Sequence, residues 1–211
     1  MKKRSVSLGL KNAAVRCRMA SENMPAKKTK SLKGKLLLDG GRLGGSFFHR
    51  TVVLVCEHNA KGAMGLVLNR PSENRLEDVF DRELPPRLMG EILYGGGPVQ
   101  PAALSYLHGD PAMESANVID RVSVGHDIDE LLEIGKSWVP SRRLRVFAGY
   151  AGWSPLQLDK EMEREAWIVH PATAALVFDV PSADLWRHIL RLSKNWEHRL
   201  LAEAPENLGW N

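Results

Sequence analysis

The sequence predicts an α+β fold: a single domain with a mixed, largely antiparallel β-sheet flanked by helices. Three observations carry that prediction. Val52–Cys56, rich in β-branched residues, and Gly65–Leu68 are unbroken apolar runs, as strands covered on both faces require. The polar connector Glu57–Gly62, which holds Asn59 and Gly62, suits a hairpin with a longer loop. The other strand-like and helix-like stretches do not alternate regularly, which disfavours a doubly wound parallel sheet. A chain of 211 residues with 44% hydrophobic content has the apolar material for one sizeable core.

Residues 1–30 hold nine Lys or Arg against one acid, a net +8, and few large apolar residues. Too little surface can be buried there to offset the entropy of ordering, so a disordered basic extension is expected. Met19 and Met24 could serve as later starts of the chain. Residues 31–211 form the domain. Leu36–Leu38 opens it as a short strand or a buried turn, and Gly40, Gly41, Gly44 and Gly45 make a flexible surface loop that Phe47 and Phe48 re-anchor. The glycine spacing is no dinucleotide fingerprint, and Ser46 stands where a phosphate loop needs lysine.

After the hairpin, Asn74 with Glu77 imitates a capping arrangement, and Leu76, Val79 and Phe80 share a helical face, which predicts a short helix. Pro85 and Pro86 end it. Glu91–Tyr94 is a strand that stops at Gly95-Gly96-Gly97-Pro98-Val99. Ala103–Leu107 is the next, closing at His108-Gly109. Asp110–Ala116 is a loop, and Val118–Val124 holds another strand. Asp127 opens a helix in which Glu130 returns a bond to the cap, Ile128, Leu131 and Leu132 make the stripe, and Gly135 is the stop.

Leu144–Ala148 is a strand that runs into Gly149-Tyr150-Ala151-Gly152-Trp153. Ser154-Pro155-Leu156-Gln157 then reads as a helix start: a serine cap, proline at the first helical position, and glutamine three residues past the serine. Trp167–Val169 is a strand ended by His170-Pro171, and Ala172–Phe178, whose pattern fits either helix or strand, reads as a helical turn that becomes extended. Ser182 caps a helix carrying Leu185, Trp186, Ile189 and Leu192. Trp196–Ala202 continues as a second amphipathic piece.

The formal charge of +4 belongs to the extension, because residues 31–211 are net −4. A nucleic-acid partner is therefore expected only through the tail, by phosphate contacts. Cys17 and Cys56, the two cysteines, make neither a disulfide framework nor a metal-site spacing. No apolar run approaches the roughly 20 residues of a membrane span, and Lys11, Asn12 and Arg16 interrupt any secretory signal. The expected setting is a reducing cytoplasm, with no membrane partner.

Taken in order, Cys56-Glu-His58, Gly62-Ala-Met-Gly65, Asn69-Arg-Pro71, Tyr94-Gly-Gly-Gly-Pro-Val99, Leu107-His108, Gly149-Tyr-Ala-Gly-Trp153, Gln157-Leu158 and Trp167 resemble the YqgE/AlgH family of bacterial proteins. The resemblance extends from about Gly34 to the C-terminus. It implies a compact α+β fold with a mixed sheet and a cytosolic protein without agreed catalytic residues. One branch of the family is named for transcriptional control of an exopolysaccharide. The family usually has a proline near Gly41 and an acid near Gly45, and reads Gly-Trp-Gly-x-Gly-Gln-Leu-Glu where this chain has Gly152-Trp-Ser-Pro-Leu-Gln-Leu-Asp159. Ser154 and Leu156 thus replace two glycines.

Cys56 and His58 share a face of a predicted strand, and a thiol beside an imidazole can become a nucleophile. Against this, Cys56 ends an apolar run, where cysteine acts as a small buried hydrophobe, and His58 reads as an anchor for the loop. The glycine clusters are better candidates. Gly95, Gly96, Gly97 and Pro98 end one predicted strand. Gly149, Tyr150, Gly152 and Trp153 end another, which feeds a helix N-terminus suited to an anion. Side by side, the two ends would border a cleft with Tyr150 and Trp153 as walls. The alternative is that the glycines serve tight turns and close packing, with both aromatics in the core.

Further polar contributors are His58, Asn69, Arg70, His108 and Gln157. Asn69-Arg70-Pro71 reads as a clamp on the chain, and His108 as a proton carrier or a satisfied polar residue. Glu161, Glu163 and Glu165 read as solvated surface. No His-Glu-x-x-His, Cys-x-x-Cys pair or Gly-x-Ser-x-Gly occurs, so no metal or cofactor is called for. Two classes follow. The first is a non-enzymatic regulatory or interaction protein with a protein or small-molecule partner, its indirect role in transcription implied by the resemblance. The second is a small-ligand or anion binder, enzymes included, using a glycine-lined cleft. Nothing in the sequence sets the oligomeric state.

Overall fold

A computed structural model describes residues 30–80, 83–109, 117–136 and 143–205; residues 1–29 of the basic extension and the loop Asp110–Ala116 lie outside them. Strands β1 (Lys35–Asp39), β2 (Val52–Asn59), β3 (Gly62–Val67), β4 (Pro71–Arg75), β5 (Ile92–Gly95), β6 (Val99–His108), β7 (Ser123–Gly125), β8 (Leu144–Trp153) and β9 (Trp167–Pro171) share one sheet. Its order is β4-β5-β8-β3-β2-β1-β9, with β6 pairing β8 and β7 off that path. The β5–β8 pair is parallel and the others antiparallel. Around the sheet lie α1 (Leu76–Val79), α2 (Ile128–Lys136), α3 (Gln157–Glu163), α4 (Ala174–Phe178), α5 (Ser182–Leu192) and α6 (Trp196–Glu203). The single α+β domain with a mixed, mostly antiparallel sheet is thus as the sequence predicts.

Alternation along each strand divides the core between two faces. Leu36, Leu38, Val52, Leu54 and Cys56 meet Leu176, Leu185, Trp186 and Ile189 of α4 and α5. Leu37, Val53, Val55 and Val67 meet Trp153, Leu158 and Trp167 on the other side. A third cluster joins Leu76, Leu93, Leu131, Ile134 and Val146 beneath α1 and α2. Full burial of each such aliphatic chain contributes roughly 1.5–3 kcal/mol, so the central hairpin holds both faces.

The hairpin is tighter than its polarity suggests. β2 and β3 run to Asn59 and from Gly62, with Ala60 and Lys61 between them. The Asn59 carboxamide oxygen accepts the Lys61 N–H at 2.8 Å and replaces the longer connector. A bulge at Cys56, where Val55 faces Gly65 but Glu57 faces Met64, reverses the alternation. Cys56 joins the α5 face, while His58 sits on the opposite face beside Asp159, Nε2 to Oδ2 3.6 Å. The expected shared face for Cys56 and His58 is therefore wrong.

Several ends shift for local reasons. β4 follows the Asn69-Arg70 clamp, and α1 is capped at Arg75, whose N–H bonds the Asp78 carboxylate at 2.7 Å, not at Asn74. Asp127 Oδ1 caps α2 through the N–H groups of Asp129 and Glu130, but the Glu130 carboxylate accepts the Tyr106 hydroxyl at 2.5 Å instead of returning to the cap. Gly135 lies inside α2 against Leu88, where a Cβ would come within 2.7 Å. The stretch Val118–Val124 is an Ile119–Val122 bridge leading into β7. Thr173 caps α4, which stays helical to Phe178 instead of becoming extended. α5 is capped at Pro181, and Ser182 is its first residue. The glycine loop after β1 is wound around the buried Asp39, whose carboxylate accepts the N–H groups of Gly41, Leu43 and Arg50 at 2.8–3.1 Å.

Candidate functional site

The second half of β8 positions the site. Up to Ala148 the strand lies between β5 and β6. Gly149 takes φ +71°, and Ala151, Gly152 and Trp153 then pair with Gly65, Met64 and Ala63 of β3. The segment Gly149–Trp153 is therefore interior strand, not the strand end read from its glycines. β6 detours at the same level: Val99 pairs with Tyr150 and the next partners are Leu104 and Ala148, which leaves Gln100–Ala103 bulged outward. Between that bulge and the end of the β2–β3 hairpin lies an open groove of about 1130 Å³.

Met64, Leu104 and Tyr150 supply the groove's apolar surface, Gly152 leaves its floor bare, and Trp153 borders it while its ring lies buried in the core against Trp167. Glu57, Lys61 and Gln100 give the rim both signs of charge and an amide. On the far wall the buried Ser105 hydroxyl meets His126 Nδ1 at 2.9 Å. A groove with apolar walls and a few convergent polar groups is the form that binding sites take. Spacing alone does not reveal Ser105, His126 or Gln100. Ser105 and His126 meet through the pairing of β6 with β7, and the bulge of β6 brings Gln100 to the same place.

The structure separates the residues singled out by sequence. Tyr150, Gly152 and Trp153 line the groove. Gly95, Gly96, Gly97 and Gly149 instead form a seam of backbone against backbone. Gly95 N–H bonds the Arg70 carbonyl at 2.8 Å, Gly96 N–H the Ala148 carbonyl at 2.9 Å, and Val67 N–H the Gly96 carbonyl at 2.9 Å. A Cβ on Gly97 would stand 2.1 Å from the Tyr150 carbonyl carbon, and one on Gly149 2.5 Å from the Gly97 oxygen. The clusters do lie side by side, but the seam leaves no cleft between them. Pro98 is exposed at its end.

The polar contributors hold chain segments. His58 Nδ1 accepts the Leu32 N–H at 3.0 Å. Asn69 accepts from Val52 N–H and donates to the Arg50 carbonyl, while Arg70 donates to the carbonyls of His49 and Asn69. His108 is buried beside the Tyr106 ring. Gln157 accepts the Ser154 N–H at 3.0 Å, the returning half of the expected cap. Ser154 itself does not cap: α3 begins at Gln157 after Leu156, which takes φ +61°. Glu161, read as solvated, joins two indoles, accepting from Trp153 at 2.9 Å and Trp167 at 2.8 Å.

The electrostatics argue against thiol chemistry. Burial first, and the Glu57 charge second, push the Cys56 thiol up to about 12, so the nucleophilic thiolate is suppressed. Among the described residues no group of three or more His, Cys, Asp or Glu is placed to hold a metal ion. Among them, too, no helix is long and apolar enough to cross a membrane.

Residues 36–196 match the AlgH-like family profile. A UPF0301 protein of Chlorobium luteolum is 38% identical over 185 residues, covering 84% of this chain and 94% of its own. Another, from Rhodococcus opacus, is 36% identical over 184 residues, covering 82% and 90%. The solution structure of the AlgH protein from Pseudomonas aeruginosa has a TM-score of 0.64 at 31% identity and covers 87% of this chain and 100% of that one. A crystal structure from Corynebacterium diphtheriae, at 23% identity and TM-score 0.67 over 83% of this chain and 93% of that one, shows the same fold.

Proposed function

The chain belongs to the AlgH-like family, and from that premise we propose that it is a non-enzymatic regulatory or interaction protein that binds its partner at the groove beside Tyr150 and Trp153. The observation that carries this reading is the bulge of β6, which opens an apolar floor under a mixed-charge rim in an otherwise closely packed sheet. The one cysteine among the described residues is sealed in the core, its thiol held protonated. The setting proposed is the cytoplasm, and contact with nucleic acid is assigned to the basic extension alone.

A photo-crosslinking residue at the exposed, groove-lining Ala102 tests the reading in the native cell, with Ala175 on α4 as an exposed control. A discrete protein adduct at Ala102 that is absent at Ala175 is the expected result. Equal labelling at both positions overturns the groove as the binding face.

The Ser105–His126 contact on the groove wall favours a second reading, in which the groove takes a small ligand. Thermal unfolding against nucleotides, inorganic phosphate and sugar phosphates tests it, because a ligand at 100 times its Kd stabilises the native state by about 2.7 kcal/mol. A shift in the wild type that Ala102→Trp abolishes supports this reading. A shift of equal size in both proteins excludes the groove.

A further inference from the structure

The basic extension joins the domain beside β2. From Gly34 onward the sheet holds the chain: the Gly34 N–H bonds the Val55 carbonyl at 2.9 Å, and the Gly34 carbonyl accepts the Ala172 N–H at 3.4 Å. Before Gly34, two hydrogen bonds to one residue, His58, hold it. The Ser31 hydroxyl donates to the His58 carbonyl at 3.0 Å, and the Leu32 N–H donates to His58 Nδ1 at 3.0 Å. The Leu32 side chain packs against the cluster that contains Trp153 and Trp167.

The Leu32 bond fixes where the ring carries its proton. Nδ1 accepts an N–H only while it is bare, so the proton of the neutral ring sits on Nε2. That nitrogen lies 3.6 Å from Asp159 Oδ2 of α3, and both side chains are largely covered, 6% and 16% exposed. An imidazolium carries a proton on both nitrogens. Its Nε2–H keeps the carboxylate, whereas its Nδ1–H would point at the Leu32 N–H, donor against donor. Asp159 thus offers the cation a counter-charge at one end of the ring, and Leu32 opposes it at the other.

The neighbouring charges point elsewhere. On α3, Glu161 is held by the two indoles, and Lys160 and Glu163 are exposed. On β2, the exposed Glu57 lines the groove on the opposite face, and β3 sets Ala63 across from His58. Lys30 and Lys33 of the entering segment and Lys61 of the hairpin connection are exposed. Of these groups and Asp159, it is Asp159 that meets the ring.

We infer that His58 is a proton-operated latch on the root of the basic extension. Proton binding at Nδ1 and departure of the Leu32 N–H are one event, so each favours the other. With the ring neutral, Ser31 and Leu32 lie against β2. Acidification turns the acceptor into a donor and opens that segment, while the sheet from Gly34 onward stays closed, a local opening and not an unfolding. The latch is independent of what the groove binds.

Amide hydrogen exchange of the full chain, followed by NMR between about pH 8 and pH 5 and corrected for the intrinsic pH dependence of exchange, tests the latch. The Leu32 N–H is expected to lose protection roughly fivefold or more, as loss of one hydrogen bond implies, with the midpoint at which the His58 ring signals titrate. The Gly34 N–H is expected to keep its protection. In His58→Asn the carboxamide oxygen takes the place of Nδ1 and does not titrate, so Leu32 protection becomes flat across the range. Should that variant also lose its Gly34 protection, the wild-type profile decides alone. Leu32 protection that stays constant while the ring titrates overturns the inference. So does a ring that remains neutral down to about pH 5, or a loss of equal size in a folded His58→Asn.

Discussion

Gly97 and Gly152 belong to the two glycine clusters that stand out in the sequence, and the fold treats them in opposite ways. A Cβ on Gly97 would meet the carbonyl carbon and oxygen of Tyr150 and the nitrogen of Ala151, all within 2.3 Å. A Cβ on Gly152 would first meet Tyr150 Cε2 at 3.2 Å, the edge of a ring that can turn. One glycine lets two backbones touch. The other leaves a floor uncovered. A glycine-rich motif therefore does not identify a site until the atoms facing each missing side chain are known.

The strongest way to break this comparison is to add a methyl group to the seam. Backbone atoms cannot yield as a side chain can, so Gly97→Ala is expected to cost at least about 4 kcal/mol, among the largest single-residue effects. Against a typical total of about 5–15 kcal/mol this leaves a marginal fold. Urea unfolding measures it, and a loss below about 1 kcal/mol would show that the seam is not tight.

The next effect sharpens the sealed side through pH. The native state keeps the Cys56 proton up to about pH 12, because burial and then Glu57 raise the thiol, whereas an unfolded thiol releases it near pH 8.5, roughly. Between those values the unfolded chain binds fewer protons, so stability falls as pH rises. The contribution is whole below the unfolded value, declines by up to about 1.4 kcal/mol per pH unit, and is gone above the folded value. Tyr106, raised by burial and by its bond to Glu130, acts in the same direction at higher pH. Cys56→Ala is expected to flatten the slope of unfolding free energy between pH 9 and 10. An unchanged slope would mean that the thiol is not sealed.

What the sequence reveals follows from the range of the forces involved. Val52–Cys56, Leu36–Leu38, Leu144–Ala148 and the α5 stripe are legible because burial on fixed faces leaves a periodic pattern within a few residues. The bulge at Cys56 leaves no such pattern, yet it sends His58 to the opposite face. Glu161 looks solvated by its spacing, because the two indoles it joins come from β8 and β9. The groove is legible in part: Tyr150, Gly152 and Trp153 adjoin in sequence, whereas Ser105 and His126 meet only through the pairing of β6 with β7.

Leu156 sharpens the comparison in the opposite sense, since it is a side chain at a backbone conformation that favours glycine. Its φ of +61° lies in the left-handed region and the side chain is exposed. A non-glycine residue there costs about 1–2 kcal/mol, partly offset by the greater entropy that glycine loses on folding. Leu156→Gly is therefore expected to stabilise the protein by about 0.5–1 kcal/mol, read from the urea midpoint. A destabilised variant would mean that the leucine's contacts outweigh its strain.

The smallest effect on stability is expected at the open position. Gly152 has no positive φ, and the three atoms nearest its would-be Cβ, at 3.2–3.7 Å, all belong to side chains. Gly152→Ala thus trades a modest adjustment of the Tyr150 ring against a reduced entropy loss on folding, and stays within about 1 kcal/mol of the wild type. Its methyl group projects into the groove floor, where a bound partner would have to yield. Unfolding measurements and crosslinking at Ala102 can be made on the same variant. Unchanged stability with a weakened Ala102 adduct is the outcome that distinguishes a glycine kept bare for binding from one kept bare for packing. A loss of stability approaching that of Gly97→Ala would place Gly152 in the seam and leave the groove without its floor.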